Sequence, residues 1–138
     1  MDILKESHLS VKIKQTIQYF NPIGYEYHKE TAQAVLRELK TYTLLRYTNR
    51  EDQMVSVKWY PEEEEIELKQ PNGTFVFRLT EPTTTIYKTP AGVWQLQVNT
   101  QQIRWEVGKS NCCLTIQYTL SLHDEKLGKY EFKLQYAL

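Results

Sequence analysis

The residues of this chain that could carry covalent or acid–base chemistry are few and scattered. Its three histidines, His8, His28 and His123, lie in loops or near the ends of predicted strands, and its two cysteines, Cys112 and Cys113, are neighbours. A nucleophilic site needs a base beside the nucleophile and a third group that orients the base, and the spacing provides none. The chain also has no glycine-rich phosphate loop. The sequence therefore predicts that this protein is not an enzyme.

Candidate metal and acidic sites are equally weak. Neighbouring residues of a strand point to opposite faces, so Cys112 and Cys113 are poorly placed to act together. A metal site needs more ligands than this pair and three scattered histidines offer. The run Glu62 to Glu65 could form an acidic site, but such a run is typical of a solvated loop that also blocks strand pairing. We expect no metal and no cofactor.

Large aromatic side chains on the apolar faces of predicted strands are the best candidates for a functional role. Gln15 joins them, because it is the one polar residue on the apolar side of the first strand. The candidate ligand-binding residues are Gln15, Trp59, Phe75, Phe77, Trp94, Trp105 and Tyr118, and Phe132 and Tyr136 are also expected inside. These side chains either fill the interior or line a pocket that is open at one end. A pocket predicts that the protein binds a small apolar ligand. A filled interior predicts a non-catalytic protein-interaction module.

The pattern of residues from Thr83 to Leu122 decides the predicted architecture. Apolar side chains recur at every second position in three runs, which start at Trp94, Ile103 and Leu114. An alternation of apolar and polar residues is typical of strands that have one buried face and one solvent-exposed face. It therefore indicates an antiparallel sheet. The breaks between the runs are short and contain turn residues. This stretch therefore predicts a β-meander.

The same alternation extends over most of the chain. Further strands are predicted over residues 8–20, 41–47, 55–59, 66–68, 75–79 and 130–136, with a polar loop over 123–128. The segment Pro71-Asn72-Gly73 is the strongest hairpin signal, because an Asn-Gly pair supplies the positive φ of a tight turn. A twisted meander of this length tends to close on itself, since closure removes the exposed edges.

The predicted fold is therefore all-β and has a single domain over residues 1–138. We expect a closed or nearly closed antiparallel up-and-down barrel of about 8–10 strands, in which the last strand pairs with the first. A sandwich of two sheets is the alternative. An edge left open in the barrel could pair with a second copy, so the chain is expected to be a monomer or an edge-paired homodimer.

One segment, residues 28–40, fits two structures. Ala32, Val35, Leu36 and Leu39 have helical spacing, and Thr31 could cap a helix there. Ala32 and Leu36 also fit the alternation of a strand, although the local composition favours a helix.

The overall composition excludes several classes of partner. Lys+Arg and Asp+Glu number 17 each, so no basic excess is available to neutralise nucleic-acid phosphates or to bind an anionic membrane. The first residues contain no apolar segment typical of a signal peptide, and no stretch approaches the roughly 18 apolar residues of a membrane span. Two reduced cysteines are typical of a cytoplasmic protein, which is the predicted location.

A more specific pattern occurs in residues 73–121. It reads G-T-F-V-F-R-L, then T-x-Y-x-T-P-x-G, W-x-L-x-V-x-T-x-x-I and L-x-I-x-Y-x-L. The pattern resembles the YwiB-like family of uncharacterised bacterial proteins. The matching residues are Gly73, Phe75, Tyr87, Thr89, Pro90, Gly92, Leu96, Thr100, Ile103, Leu114, Ile116, Tyr118 and Leu120.

The resemblance implies a calycin or lipocalin-like barrel and a cytoplasmic setting, with no assigned activity. It covers the C-terminal half well and is weaker before residue 50. The family usually has a glycine followed by aromatic residues in its second strand, where this chain has Gln33-Ala34-Val35-Leu36. The family pattern nevertheless favours a strand over residues 30–40. Binding of small apolar ligands by wider calycin relatives is an analogy of fold only.

Overall fold

Ten β-strands make up the fold in the computed structural model, which describes residues 3–137. These residues contain no helix, and thus none that could cross a membrane. The strands are β1 (Ile3–Phe20), β2 (Ile23–Leu39), β3 (Thr43–Thr48), β4 (Met54–Tyr60), β5 (Glu65–Gln70), β6 (Gly73–Arg78), β7 (Thr83–Thr89), β8 (Gly92–Val107), β9 (Asn111–Leu122) and β10 (Glu125–Ala137).

All ten strands belong to one antiparallel sheet with the order β6-β5-β4-β3-β2-β1-β10-β9-β8-β7. The first and last strands therefore meet in its middle, where Val11 pairs with Tyr136 and Tyr19 with Gly128. The sheet curves so that β6 and β7, at its two ends, lie beside each other. This arrangement confirms the predicted up-and-down barrel and the pairing of the first strand with the last.

The seam between β6 and β7 closes the barrel by a different kind of contact. No backbone ladder joins these two strands in the described sheet. Instead, the Thr85 hydroxyl donates a hydrogen bond of 3.0 Å to the Thr74 carbonyl, and the Thr83 hydroxyl donates to the Val76 carbonyl. At the end of the seam, the Lys88 amide donates to the Asn72 carbonyl over 2.8 Å. The barrel is therefore nearly closed, with threonine side chains supplying bonds that the backbone does not.

Gly73 allows the two strands of the seam to approach. A Cβ atom at this position would lie 2.7 Å from the Ile86 carbonyl oxygen and 3.3 Å from the Thr85 methyl group. The hairpin predicted at Pro71-Asn72-Gly73 is present, but none of its residues has the positive φ expected from the sequence. Gly73 is thus required by space across the seam and not by the turn.

The two ends of the barrel can be told apart by their connections. We call the mouth the end that carries the turns at residues 21–22, 49–53, 71–72, 90–91 and 123–124, and the base the opposite end. Between them, alternate side chains of most strands fill the interior. The most completely buried apolar side chains are Phe77, Phe132, Leu45, Ile66, Leu68, Leu114, Ile116, Leu134, Val11 and Val98.

Residues 28–39 lie in strand β2, so the helix favoured by local composition over residues 28–40 is wrong and the strand is correct. Every residue from Ile23 to Leu36 pairs with β1, and Ala34 and Leu36 also pair with β3. Both side chains are buried in the barrel. Pairing with neighbouring strands and burial thus outweigh a small local preference for helix.

The loop predicted over residues 123–128 is also wrong. Strand β9 continues to Leu122 and β10 begins at Glu125, so only His123 and Asp124 form the connection. Both have positive φ, 51° and 65°, as a two-residue hairpin turn requires. The polar residues that suggested a loop belong instead to the mouth end of β10.

Replacement of Gly73 by alanine tests the seam. The added Cβ would force the backbones of β6 and β7 apart, so we expect a loss of about 1–3 kcal/mol in the free energy of unfolding. Gly24→Ala is the control, because a Cβ there meets no atom within 4 Å, and its effect should stay within about 0.5 kcal/mol. Urea denaturation measures both. Equal effects of the two substitutions would contradict the close approach at the seam.

Candidate functional site

A cavity of about 230 Å³ opens inside the barrel at the mouth. Its wall is mostly aromatic and aliphatic, and we call it the aromatic compartment. Phe75 and Tyr118 have ring centroids 6.5 Å apart, and Tyr118 stacks on Tyr130 at 5.3 Å. The lining residues are Gln15, Ile17, Tyr19, Gln70, Phe75, Tyr87, Trp94, Leu96, Tyr118, Leu120, Leu127 and Tyr130.

The base of the barrel is filled by aromatic rings. Trp59 and Trp105 stack in parallel with their ring centroids 5.7 Å apart, and Tyr136 meets the edge of Trp105 at 6.5 Å. In the same row of paired residues as Trp59 and Ile66, Phe77 is fully buried and packs on Tyr118 at 4.6 Å. The interior is therefore packed from the base to its middle and open only toward the mouth.

The structure divides the seven candidate residues into two groups. Gln15, Phe75, Trp94 and Tyr118 line the aromatic compartment. The other three do not line it, because Phe77 is in the packed middle and Trp59 and Trp105 are at the base. The two interiors weighed from the sequence, packed and hollow, thus occur in different halves of one barrel.

Trp94 differs from the other aromatic candidates in its exposure. It was expected inside the barrel, but 40% of it is exposed, because it lies near the mouth end of β8, two residues after Gly92. Its position is therefore the rim of the aromatic compartment and not the core.

A second cavity, of about 290 Å³, lies beside the first at the mouth, and we call it the polar compartment. Gln15 and Gln70 line both compartments, so the two are neighbours. The lining of the polar compartment is Ile13, Gln15, His28, Lys29, Glu30, Tyr47, Asn49, Arg50, Glu51, Gln53, Val55, Gln70, Pro71 and Asn72. The mouth thus combines an aromatic wall with a polar and charged one.

Strand β2 supplies the polar wall through its inward-facing residues. Directly paired residues of antiparallel strands point to the same face of the sheet. His28 pairs with Gln15 and Glu30 pairs with Ile13, whose side chain is buried. The Glu26 carboxylate holds the His28 ring at 3.0 Å, whereas the buried Oε1 of Glu30 has no hydrogen-bond partner within residues 3–137.

The tyrosines around the mouth are held in their neutral form. Burial raises the pKa of Tyr130 to about 12, and the neighbouring Tyr19 and Glu26 act in the same direction. Burial also raises the pKa of Tyr47, and the charge of Glu30 adds to this effect. These hydroxyls can therefore donate hydrogen bonds inside the cavity at any physiological pH.

The described residues that line the two compartments include no thiol and no cluster of metal-binding side chains. Over residues 3–137, no three His, Cys, Asp or Glu side chains are grouped closely enough to hold a metal ion. Cys112, which is buried, and the half-buried Cys113 are both free thiols and line neither compartment.

The sequence reasoning missed the polar compartment because of the doubt over β2. Ala32 and Leu36 fit a strand pattern, and the same alternation continued toward the N-terminus would have placed Glu30, His28 and Glu26 inside. Tyr47 and Gln70 line the same compartment only because the sheet curves. No local pattern in the sequence reports that curvature.

Comparison with known proteins places the chain in a family. Residues 11–134 match the family described as "Domain of unknown function (DUF1934)". The chain belongs to this family. The fold of this DUF1934 chain is similar to the crystal structure of the ywiB protein from Bacillus subtilis, with a TM-score of 0.80 over 98% of this chain and 94% of that one. Their sequence identity is 16%, so this likeness concerns the fold.

These findings confirm the resemblance inferred from residues 73–121. A search of curated proteins finds no match to the chain.

The raised pKa of Tyr130 predicts a loss of stability in alkali. Between about pH 10, the ordinary value for tyrosine, and about pH 12, the phenol ionises in the unfolded chain before it ionises in the folded one. Its contribution is therefore complete below about pH 10 and is lost as the pH rises through this window. Urea unfolding midpoints at about pH 9 and about pH 11 should differ less in Tyr130→Phe than in Tyr25→Phe, whose residue is 71% exposed. An equal difference in the two variants would contradict burial of the Tyr130 hydroxyl.

Proposed function

We propose that this protein binds a small, largely apolar ligand in the aromatic compartment, without catalysing a reaction. The observation that supports the proposal most directly is a barrel whose base is plugged by Trp59 and Trp105 while its mouth contains an aromatic cavity of about 230 Å³. Ligand sites in proteins are typically concave and apolar, with a few placed polar groups. Here Gln15, Gln70 and the Tyr118 hydroxyl are those groups.

The packing around the cavity favours a lasting hollow over a gap that side chains could fill. Tyr118 contacts Phe75, Phe77 and Tyr130, so its ring is held from three directions. Three of the rings that line the cavity are therefore held in place by contacts with one another. A ligand would enter a largely formed site and would lose little free energy in ordering it.

The proposed role is non-catalytic because of the chemistry of the cavity wall. The aromatic compartment is lined by Gln, Ile, Leu, Phe, Trp and Tyr side chains. Neither compartment has a serine, threonine or cysteine among the described residues that line it. The two free thiols further support a location in the bacterial cytoplasm, where cysteines stay reduced.

A protein-interaction module is the second candidate, and one observation favours it. Strand β2 pairs with β3 only from Ala34 to Glu38, so its edge from Ile23 to Gln33 has no strand partner on that side within residues 3–137. A second copy could add a strand there and form an edge-paired homodimer. However, the Arg50 guanidinium already donates to the Lys29 carbonyl on this edge. We therefore prefer the ligand-binding role, with the chain as a monomer.

Titration with N-phenyl-1-naphthylamine, an uncharged apolar dye, tests the proposed function. Its fluorescence should rise and saturate at one dye per chain. Leu127 lines the aromatic compartment and is only half-buried, so Leu127→Trp should fill the cavity. We expect this variant to weaken dye binding by about tenfold or more, equivalent to about 1.4 kcal/mol.

Leu79→Trp is the matched control, because Leu79 is 44% exposed and follows β6 at the base. Its dye affinity should equal that of the unmodified protein, and the melting temperatures of both variants show whether they fold. Absence of saturable binding to the unmodified protein, or equal weakening by both substitutions, would refute a ligand site at the mouth.

A further inference from the structure

A stripe of polar residues runs down the inside of β2, next to the aromatic compartment. The pairs Ile17–Glu26, Gln15–His28 and Ile13–Glu30 form three successive inward levels from the mouth. Inward residues of a strand are about 7 Å apart, so Glu30 lies roughly 14 Å further along the strand than Glu26. Below Glu30, the level of Val11 and Ala32 is apolar. The stripe therefore ends in a carboxylate at the floor of the polar compartment.

Glu30 differs from His28 and Arg50 of the polar compartment because it has no partner among the described residues. Its Oε1 is buried without a hydrogen bond, and no ion pair of the described chain, residues 3–137, includes it. Buried carboxylates are normally paired or hydrogen-bonded, because the loss of hydration costs free energy that a partner must offset. A buried acceptor at the edge of a cavity is thus a position where a ligand could supply the missing donor.

Two of the nearby groups that could have paired with Glu30 have other partners. The His28 ring is held by Glu26 at 3.0 Å, and Arg50 donates to the Lys29 carbonyl. Glu30 and Tyr47 line the same compartment, and burial, followed by the charge of Glu30, raises the pKa of Tyr47. The Glu30 carboxylate therefore acts electrostatically on Tyr47, while its Oε1 has no hydrogen-bond partner among the described residues.

We propose that the ligand carries a protonated amine, which Glu30 binds while the apolar body of the ligand occupies the aromatic compartment. This inference rests on the proposed function and adds the chemical class of the ligand. An ammonium group has up to three donors and one positive charge, so it offsets both the missing hydrogen bond and the unpaired charge of Glu30.

The arrangement of the two compartments fits an elongated amphipathic amine. Gln15 and Gln70 line both cavities, so a molecule passing between their side chains would reach from Phe75 and Tyr118 to Glu30. The aromatic end would be recognised by apolar contact, and the amine by charge. A ligand with a carboxylate in place of the amine would meet Glu30 with like charge and should be rejected.

The test uses two fluorescent probes of nearly the same shape. Dansylcadaverine has an aromatic body and a primary amine on a five-carbon chain, and its N-acetyl derivative has the same body without the charge. We expect the unmodified protein to bind the amine more tightly by about tenfold or more, because a charge-assisted hydrogen bond contributes about 1.5–3 kcal/mol. The preference between the probes is the measured quantity.

Glu30→Gln removes the charge and keeps the shape, and it should abolish the preference. Glu51→Gln is the matched control, because Glu51 lines the same compartment but is exposed. The control should keep the preference within about twofold, since an exposed charge is screened by water and salt. Glu30→Gln should also melt at or above the temperature of the unmodified protein, because it removes the charge from a carboxylate whose buried Oε1 has no partner.

The outcomes separate this inference from the proposed function. If N-phenyl-1-naphthylamine binds the unmodified protein and Glu30→Gln equally while the amine preference disappears only in Glu30→Gln, both are supported. If the uncharged dye binds but the two dansyl probes bind equally, or if Glu51→Gln loses the preference as Glu30→Gln does, the amine inference is refuted and the apolar site stands. If the uncharged dye does not bind, the proposed function itself fails.

Discussion

Hydrogen bonds from threonine hydroxyls to backbone carbonyls close this barrel where strand pairing stops. Thr83 and Thr85 of β7 bind Val76 and Thr74 of β6, and Gly73 leaves the space in which the two strands approach. Without this seam the ten-stranded sheet would have two free edges, and its inner face would not enclose an interior. The packed base and the hollow mouth both depend on that enclosure.

Most of the fold could be predicted from the sequence because strand alternation is a local signal with a large consequence. The runs around Trp94, Ile103 and Leu114 determined the antiparallel class, and the pairing of β1 with β10 followed from the tendency of a meander to close. The helix considered for residues 28–40 shows the limit of local reasoning. Pairing of β2 with β1 along its length overrides the small preference of its residues for helix.

The candidate site could be predicted only in part. Gln15 was identified because it interrupts an apolar face, and it lies between the two compartments of the mouth. The sequence did not separate Phe75 and Tyr118 at the mouth from Trp59 and Trp105 at the base, because alternation reports the face of a strand and not the height along the barrel. Height follows from the register of nine strand pairings, which no single segment encodes.

The central claim, a barrel packed at its base and open to a ligand at its mouth, can be tested with the three tryptophans alone. Each gives one indole N–H signal in a two-dimensional nitrogen–proton NMR spectrum, and a single replacement of each residue assigns it. On addition of N-phenyl-1-naphthylamine, the signal of Trp94 at the rim should shift and saturate, while those of the stacked Trp59 and Trp105 stay in place. Shifts of Trp59 and Trp105 with an unchanged Trp94 would contradict the account.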